Sequence, residues 1–285
     1  MFNILLTGSN GFVGSYFKNN YSNEHKIDTF SFLNDNLADL DFIQMDTIVH
    51  LSALVHQMDG ATEEEYKNVN ISQTLALAQK AKQSGVKHFI FMSTVKVYGE
   101  ETDTVYREDT PCNPRDEYGK SKLEAEKELQ KLEDDIFRVS VIRTPIVYGE
   151  GVKANILNLI NLVKNMPVLP FANIQNRRSM VYVGNLCAII DRIIKVGKSG
   201  IFLASDDKAL STTEFVHLTA SALNKKVFLL SVPFFPLLLK KIKPSFYKRL
   251  YKNLEVDNTF TKKELEFSNP YSVKEGIKFM INEEI

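Results

Sequence analysis

The stretch from Asn3 to Gly14, NILLTGSNGFVG, decides the fold. Asn3 to Thr7 is a short apolar run that reads as a strand. Gly8, Gly11 and Gly14 follow, and FVGSYFKNNY then carries helical spacing. Glycine is needed where a chain turns tightly out of a strand and where backbone must approach a pyrophosphate. A helix that opens at such a turn aims its first N–H groups at an anion. Asn10, Phe12 and Val13 complete the turn as candidate contacts to a dinucleotide. A glycine triplet alone is a weak signal. Its place after the first strand of an alternating chain gives it meaning.

That alternation extends outward through the first half. KIDTFSF, TIVHLSAL, KHFIFMST and FRVSVIRTPIVYG read as strands. EEEYKNVNISQTLALAQKAKQSG and DEYGKSKLEAEKELQKLEDD read as amphipathic helices between them. Strands and helices in this order predict an α/β fold of the Rossmann type, a doubly wound parallel sheet covered on both faces. The nearly continuous apolar character of the strands agrees, because such strands are buried on both sides. After about residue 165 the regularity weakens, and GIFLASD reads as one more strand returning to the sheet. The expected division is residues 1–165 for the dinucleotide, with a returning segment at about 178–206, and a smaller mixed substrate domain over 166–285.

Bulk properties narrow the function. The 285 residues carry 35 basic and 35 acidic side chains, so the formal net charge is zero. A balanced chain gives no reason to expect nucleic acid as a partner. Cys112 and Cys187 form neither a metal spacing nor a disulfide framework, and no metal is expected. A reducing, cytoplasmic compartment fits them. The N-terminus lacks the basic region of a signal peptide. The most apolar stretch, VFLLSVPFFPLLL from Val227 to Leu239, is too short and too proline-rich to cross a bilayer. It reads as a strand, a proline turn and a buried helix. The lysines at 240, 241 and 243 leave membrane-surface docking as the minority reading.

Candidate chemistry lies in YGKSK and STVKVYGE. Tyr118 and Lys122 are four apart, hence on one face of a helix. A free tyrosine is a poor base at neutral pH, and a nearby ammonium stabilises the phenolate. Lys122 can also hold the ribose hydroxyls of a dinucleotide. Thr94 ends the preceding strand and offers a hydroxyl to the same proton path. At the end of the second strand an acid would favour NAD, and a neutral or basic residue admits a 2′-phosphate. Ser31 occupies that place, with Asp35 close by, so NAD and NADP both stay open.

These motifs together resemble the extended short-chain dehydrogenase/reductases, the NAD-dependent epimerase/dehydratase family. TGSNGFVG, IVHLSALVH, NVN, STVKVYGE, YGKSK, RTPIVYGEGV, RRSMVYVGNL and LEVDNTFTKKELEF carry the resemblance in order along nearly the whole chain. The likeness is greatest to bacterial surface-polysaccharide enzymes acting at C4 of UDP-linked sugars. It implies that Tyr118 is the acid/base, Lys122 its partner, Thr94 the substrate-facing hydroxyl and Ser93 a neighbour of the nicotinamide. It implies further cofactor contacts at Leu51, Ser52, Ala53, Asn70 and Val147. Substrate contacts are implied at Lys96, Tyr148, Asn155, Arg178 and Arg249. Asn155 and Arg178 would face the diphosphate, Arg178 because a planar guanidinium grips phosphate oxygens bidentately, with Arg249 a weaker candidate for a second grip. A homodimer through the two long helices is a further implication. Gln73 and Glu150 depart from the family pattern, standing where glycine and proline are common.

Lys96 narrows the reaction. Family members that remove water across C5 and C6 carry two carboxylates after the threonine, and this chain has Val95 and Lys96 there. Neither can abstract a proton at neutral pH. Hydride transfer at C4 remains. Lys96 itself is either a substrate contact or a structural strand-end lysine. The leading expectation is a 4-ketoreductase of a UDP-4-keto-6-deoxy-(N-acetyl)hexose. A UDP-sugar 4-epimerase with tightly held NAD is the alternative. A non-catalytic NAD(P)-sensing protein is a remote third, disfavoured because Thr94, Tyr118 and Lys122 are all present.

Overall fold

A computed structural model describes residues 1–55, 61–152 and 154–282. His56, the last residue of IVHLSALVH, lies outside the described residues. The first half runs β1 (Asn3–Thr7), α1 (Phe12–Tyr21), β2 (Lys26–Phe30), β3 (Thr47–His50), α2 (Glu63–Tyr66), α3 (Gln73–Gln83), β4 (His88–Thr94), β5 (Val105–Tyr106), α4 (Glu117–Leu132) and β6 (Arg138–Thr144). Then come β7 (Ile146–Tyr148), α5 (Ala154–Asn165), β8 (Val168–Leu169), β9 (Met180–Tyr182), α6 (Val183–Val196) and β10 (Gly200–Leu203). The chain ends with α7 (Thr212–Ala222), β11 (Phe228–Leu229), α8 (Phe235–Ile242), α9 (Pro244–Tyr251), β12 (Glu255–Val256), α10 (Thr259–Leu265) and α11 (Val273–Asn282).

Six strands form one parallel sheet in the order β10-β6-β4-β3-β1-β2. Alternate strand residues feed two cores. Ile4, Leu6, Val49, Ile90 and Ile142 pack with α6 on one face. Leu5, Ile48, Phe89, Phe91 and Val141 pack with α3 and α4 on the other. The doubly wound sheet expected from the sequence is therefore present, and GIFLASD returns to it as the edge strand β10. Because β2 and β3 lie on opposite sides of β1, the strand order reverses there. Ligands of open α/β sheets bind at the carboxyl ends of strands at such a reversal.

A smaller core of Val163, Leu169, Phe171, Ile174, Val216, Ala220 and Leu250 lies under the cap built from α5, α7, α8 and α9. The last two helices behave differently. Leu265, Val273, Ile277, Met280 and Ile281 join the large core with Ile4 and Leu6. Apolar residues of α10 and α11 thus complete the sheet's own packing.

The long helix expected over EEEYKNVNISQTLALAQKAKQSG is interrupted by a π-helical turn at Lys67–Ser72. The expected burial of α8 is corrected: Leu237, Leu238 and Ile242 are 65, 55 and 64% exposed. Phe235 and Leu239 already fill its inward face, so the remaining apolar side chains point outward.

Candidate active site

A cavity of about 990 Å³ opens where β1, β3 and β4 end. Gly8, Asn10, Gly11, Phe12, Val13 and Gly14 form its floor, and Leu51, Ser52 and Ala53 form one wall. Gly8 has φ +69°, a conformation that disfavours side chains. A Cβ at Gly8 would lie 2.8 Å from the Ser52 nitrogen, and one on Gly14 would collide with the Gly8 carbonyl. The glycines are what keep this floor open. Gly11 caps α1 without a side chain, so the first-turn N–H groups face the cavity. These residues fit the pyrophosphate of a dinucleotide.

Behind the floor, His50 is wholly buried. Its ring bonds the Thr7 hydroxyl at 2.7 Å and the Thr74 hydroxyl at 2.9 Å. Burial, aided by the charge on Lys122, pulls His50 down to about 3, so it stays neutral. Thr7 in turn accepts from the Ser52 N–H at 3.2 Å, which fixes the wall.

Ser93, Tyr118, Lys122 and Val147 also line the cavity, joined by Met92, Thr144, Glu150 and Tyr182. The Lys122 ammonium donates to the Met92 carbonyl at 2.7 Å and sits 4.2 Å above the Phe91 ring. Burial pulls it down to about 7, against the opposing charge of Glu126. Tyr118 is held above the ordinary phenol value, first by burial and then by Asp116 and Tyr66. This corrects the expectation of a phenol drawn towards neutrality. The i, i+4 spacing is met, but Lys122 runs inward to Met92. The Ser93 hydroxyl donates to Glu126, and Glu126 pairs with Arg143 at 2.6 Å, both wholly buried. Neither Glu126 nor Arg143 was legible as a site residue, because a charged pair 17 apart gives no local signal.

Several expected site residues are spent elsewhere. Thr94 stands one residue beyond Ser93, outside the cavity lining, and its hydroxyl accepts from the Lys96 N–H at 3.3 Å. Lys96 forms an ion pair with Asp116, the cap of α4. Of its two readings, this pairing supports the structural one. Asn70 uses both ends of its amide: it accepts from Leu54 N and donates to Leu54 O and to Ser121. It braces the segment after β3 rather than lining the cavity. Tyr148 is fully buried and donates to Asp206 at 2.6 Å, so it faces the core and not a substrate. Ser31 follows β2 but does not line the cavity. Its N–H donates to the Asp35 carboxylate at 2.8 Å, which brings an acid to the end of β2.

A second pocket of about 70 Å³ gathers Asn155, Arg178 and Arg249 from distant segments. Its walls are mostly apolar, with Ile156, Met180, Phe215 and Phe246, and Ser211 and Thr212 open α7 there. Ribbon β7/β9 stands between the two cavities: Ile146 and Met180 line the smaller, Val147 and Tyr182 the larger. Arg178 is locked by paired backbone bonds with Leu210. Burial and then the neighbouring charge of Arg249 pull Arg178 down to about 10. Two cations facing one apolar pocket are relieved by an anion. Arg177 points away and pairs with Glu255 at 2.6 Å.

Residues 4–203 match the family model described as the NAD dependent epimerase/dehydratase family. The chain belongs to this family. It is an enzyme of the short-chain dehydrogenase/reductase type, and its cofactor is a nicotinamide dinucleotide. A UDP-glucose 4-epimerase of Vibrio cholerae is 39% identical over 96% of this chain and 93% of its own. An N-acetyl-alpha-D-glucosaminyl-diphospho-ditrans,octacis-undecaprenol 4-epimerase of Escherichia coli O157:H7 is 29% identical over 81% of this chain and 76% of its own. The UDP-N-acetylglucosamine 4-epimerase of Bacillus cereus shares the fold, with TM-score 0.80 and 19% identity over the full length of both chains.

Proposed function

We propose that this family member is a 4-epimerase of a UDP-linked sugar that works with NAD. The match to an epimerase along 96% of the chain carries this reading over a 4-ketoreductase. The Asp35 carboxylate at the end of β2 supports NAD over NADP, since an acid there bonds ribose hydroxyls and repels a 2′-phosphate. Ser31 alone supplies no charge at that position, and Asp35 supplies one.

The nicotinamide, when bound, supplies hydride acceptance and return at C4 of the sugar. Tyr118, as phenolate, would take the proton of the C4 hydroxyl at its phenol oxygen during oxidation and give it back during reduction from the opposite face. Lys122, drawn down towards neutrality by burial, lies one helical turn from Tyr118 on α4, and whatever positive charge it keeps would favour the phenolate even though its ammonium bonds the Met92 carbonyl. Ser93, fixed by Glu126, offers a neutral hydroxyl wall beside the reacting carbon. Arg178 and Arg249 hold the diphosphate, leaving the sugar free to present either face.

The test is stoichiometry. Purified protein should interconvert UDP-glucose or UDP-N-acetylglucosamine with its C4 epimer, with no net change in nicotinamide absorbance. Consumption of one reduced nicotinamide per UDP-4-keto-6-deoxy sugar, without epimerisation, would establish the ketoreductase instead.

A further inference from the structure

The segment from Lys225 to Leu254 carries eight basic residues and no Asp or Glu, in a chain whose formal charge is zero. The same segment concentrates exposed apolar surface. Phe228, Leu230, Val232, Phe234, Leu237, Leu238 and Ile242 are seven of the seventeen exposed large apolar side chains among the described residues. Val168 lies in register beside Phe228 and extends the patch. Single exposed apolar residues are ordinary, whereas a contiguous patch marks a partner surface.

Geometry shows that this face is built. Helix α8 is apolar nearly all round. Phe235 and Leu239, four apart, pack inward on the cap core. Phe234, Leu238 and Ile242, also four apart, form a ridge on the opposite side. Phe234 has φ +63°, a strained conformation for a bulky residue, and its ring is 79% exposed. Lys240, Lys241 and Lys243 flank the ridge. No carboxylate among the described residues pairs with any of them, and Lys240 rests over the Tyr247 ring at 6.0 Å.

We infer that the α8 face docks on the surface of an anionic phospholipid bilayer. An apolar ridge with lysines beside it inserts shallowly at the headgroup boundary, and its cations gain from the negative surface potential. A second copy on the same face would set Lys240, Lys241 and Lys243 against their own like, which disfavours self-association. The protein rests on the surface and does not span it, since no described helix is long and apolar enough to cross. Docking also has a consequence for the site. Helix α9 follows α8 at Lys243, and its Phe246 and Arg249 line the smaller pocket, which then lies one helix from the lipid.

Co-sedimentation of the full chain with vesicles tests this whatever sugar the site accepts. With vesicles of phosphatidylcholine and phosphatidylglycerol the protein should pellet, and with phosphatidylcholine alone it should partition at least about tenfold less. Leu238→Glu with Ile242→Glu should cut binding to the anionic vesicles about tenfold or more. Lys240→Glu, Lys241→Glu and Lys243→Glu together should remove the preference for anionic lipid. All these positions are exposed, so melting temperatures should match wild type and exclude unfolding as the cause. Wild-type protein left in the supernatant with both vesicle types would overturn the inference. So would a concentration-dependent dimer that Leu238→Glu abolishes while vesicle binding is unchanged, because the patch would then serve a second copy.

Discussion

Lys122 shows most directly how one residue's surroundings set its chemistry. Burial makes its charged form costly, and the resulting value of about 7 lies below the ordinary 10.5. Between these values the unfolded chain binds the extra proton. Stability therefore rises with pH across that window, and the full cost is present below about pH 7. Lys122→Met has no charge to desolvate and should abolish the rise. Urea unfolding at pH 6.5 and pH 9.5 checks this: the variant should gain on wild type at the lower pH, and a difference independent of pH would refute it. Arg178 and Arg177 provide a sharper pair. Only Arg178 reaches the pocket, while Arg177 is held by Glu255. Arg178→Ala should weaken UDP binding by roughly 1.5–3 kcal/mol, the worth of a charge-assisted hydrogen bond, with Arg177→Ala near wild type in titration calorimetry. The reverse order would move the diphosphate to the other arginine.

At the scale of elements, the glycine turn was the most legible part of the sequence, because its constraint is local. Backbone must pass where a Cβ cannot, and only glycine permits that. The Gly14 position sets a firm expectation. An added Cβ would collide with the Gly8 carbonyl oxygen and lie 2.8 Å from its carbon, both backbone atoms that cannot step aside. Gly14→Ala should cost about 1–3 kcal/mol in stability, the usual scale of overpacking, and lower NAD affinity at least about tenfold by shifting the turn. Unchanged NAD binding by fluorescence titration would show that the turn can relax. The parallel sheet and the returning β10 were legible for a related reason, since period and burial repeat over several residues. Lys96, Asn70 and Tyr148 were not. Their types suit a site, but Asp116, Leu54 and Asp206 satisfy them, and those partners are fixed only by the fold. The outward face of α8 was missed for the opposite reason. An apolar helix reads as buried from sequence, and the cap offers it only one inward side.

For the whole molecule, the decisive feature is how the C-terminus is used. Leu265, Ile277, Met280 and Ile281 are at most 1% exposed, and they share one core with Ile4 and Leu6 of the first strand. Fully burying an aliphatic side chain contributes roughly 1.5–3 kcal/mol, so these four represent roughly 6–12 kcal/mol. That matches the entire net stability of a typical domain, about 5–15 kcal/mol. Arg192 adds a bond from α6 to the Leu265 carbonyl at 2.6 Å, and Asn185 one to the Tyr271 carbonyl at 2.9 Å. The sheet domain is therefore closed by residues more than 250 positions from its first strand. A chain truncated after Asn258 should lack a cooperative urea transition by near-ultraviolet circular dichroism, even though every residue of the dinucleotide cavity is retained. An unchanged midpoint in the truncated chain would mean that α10 and α11 merely decorate a core that is complete without them.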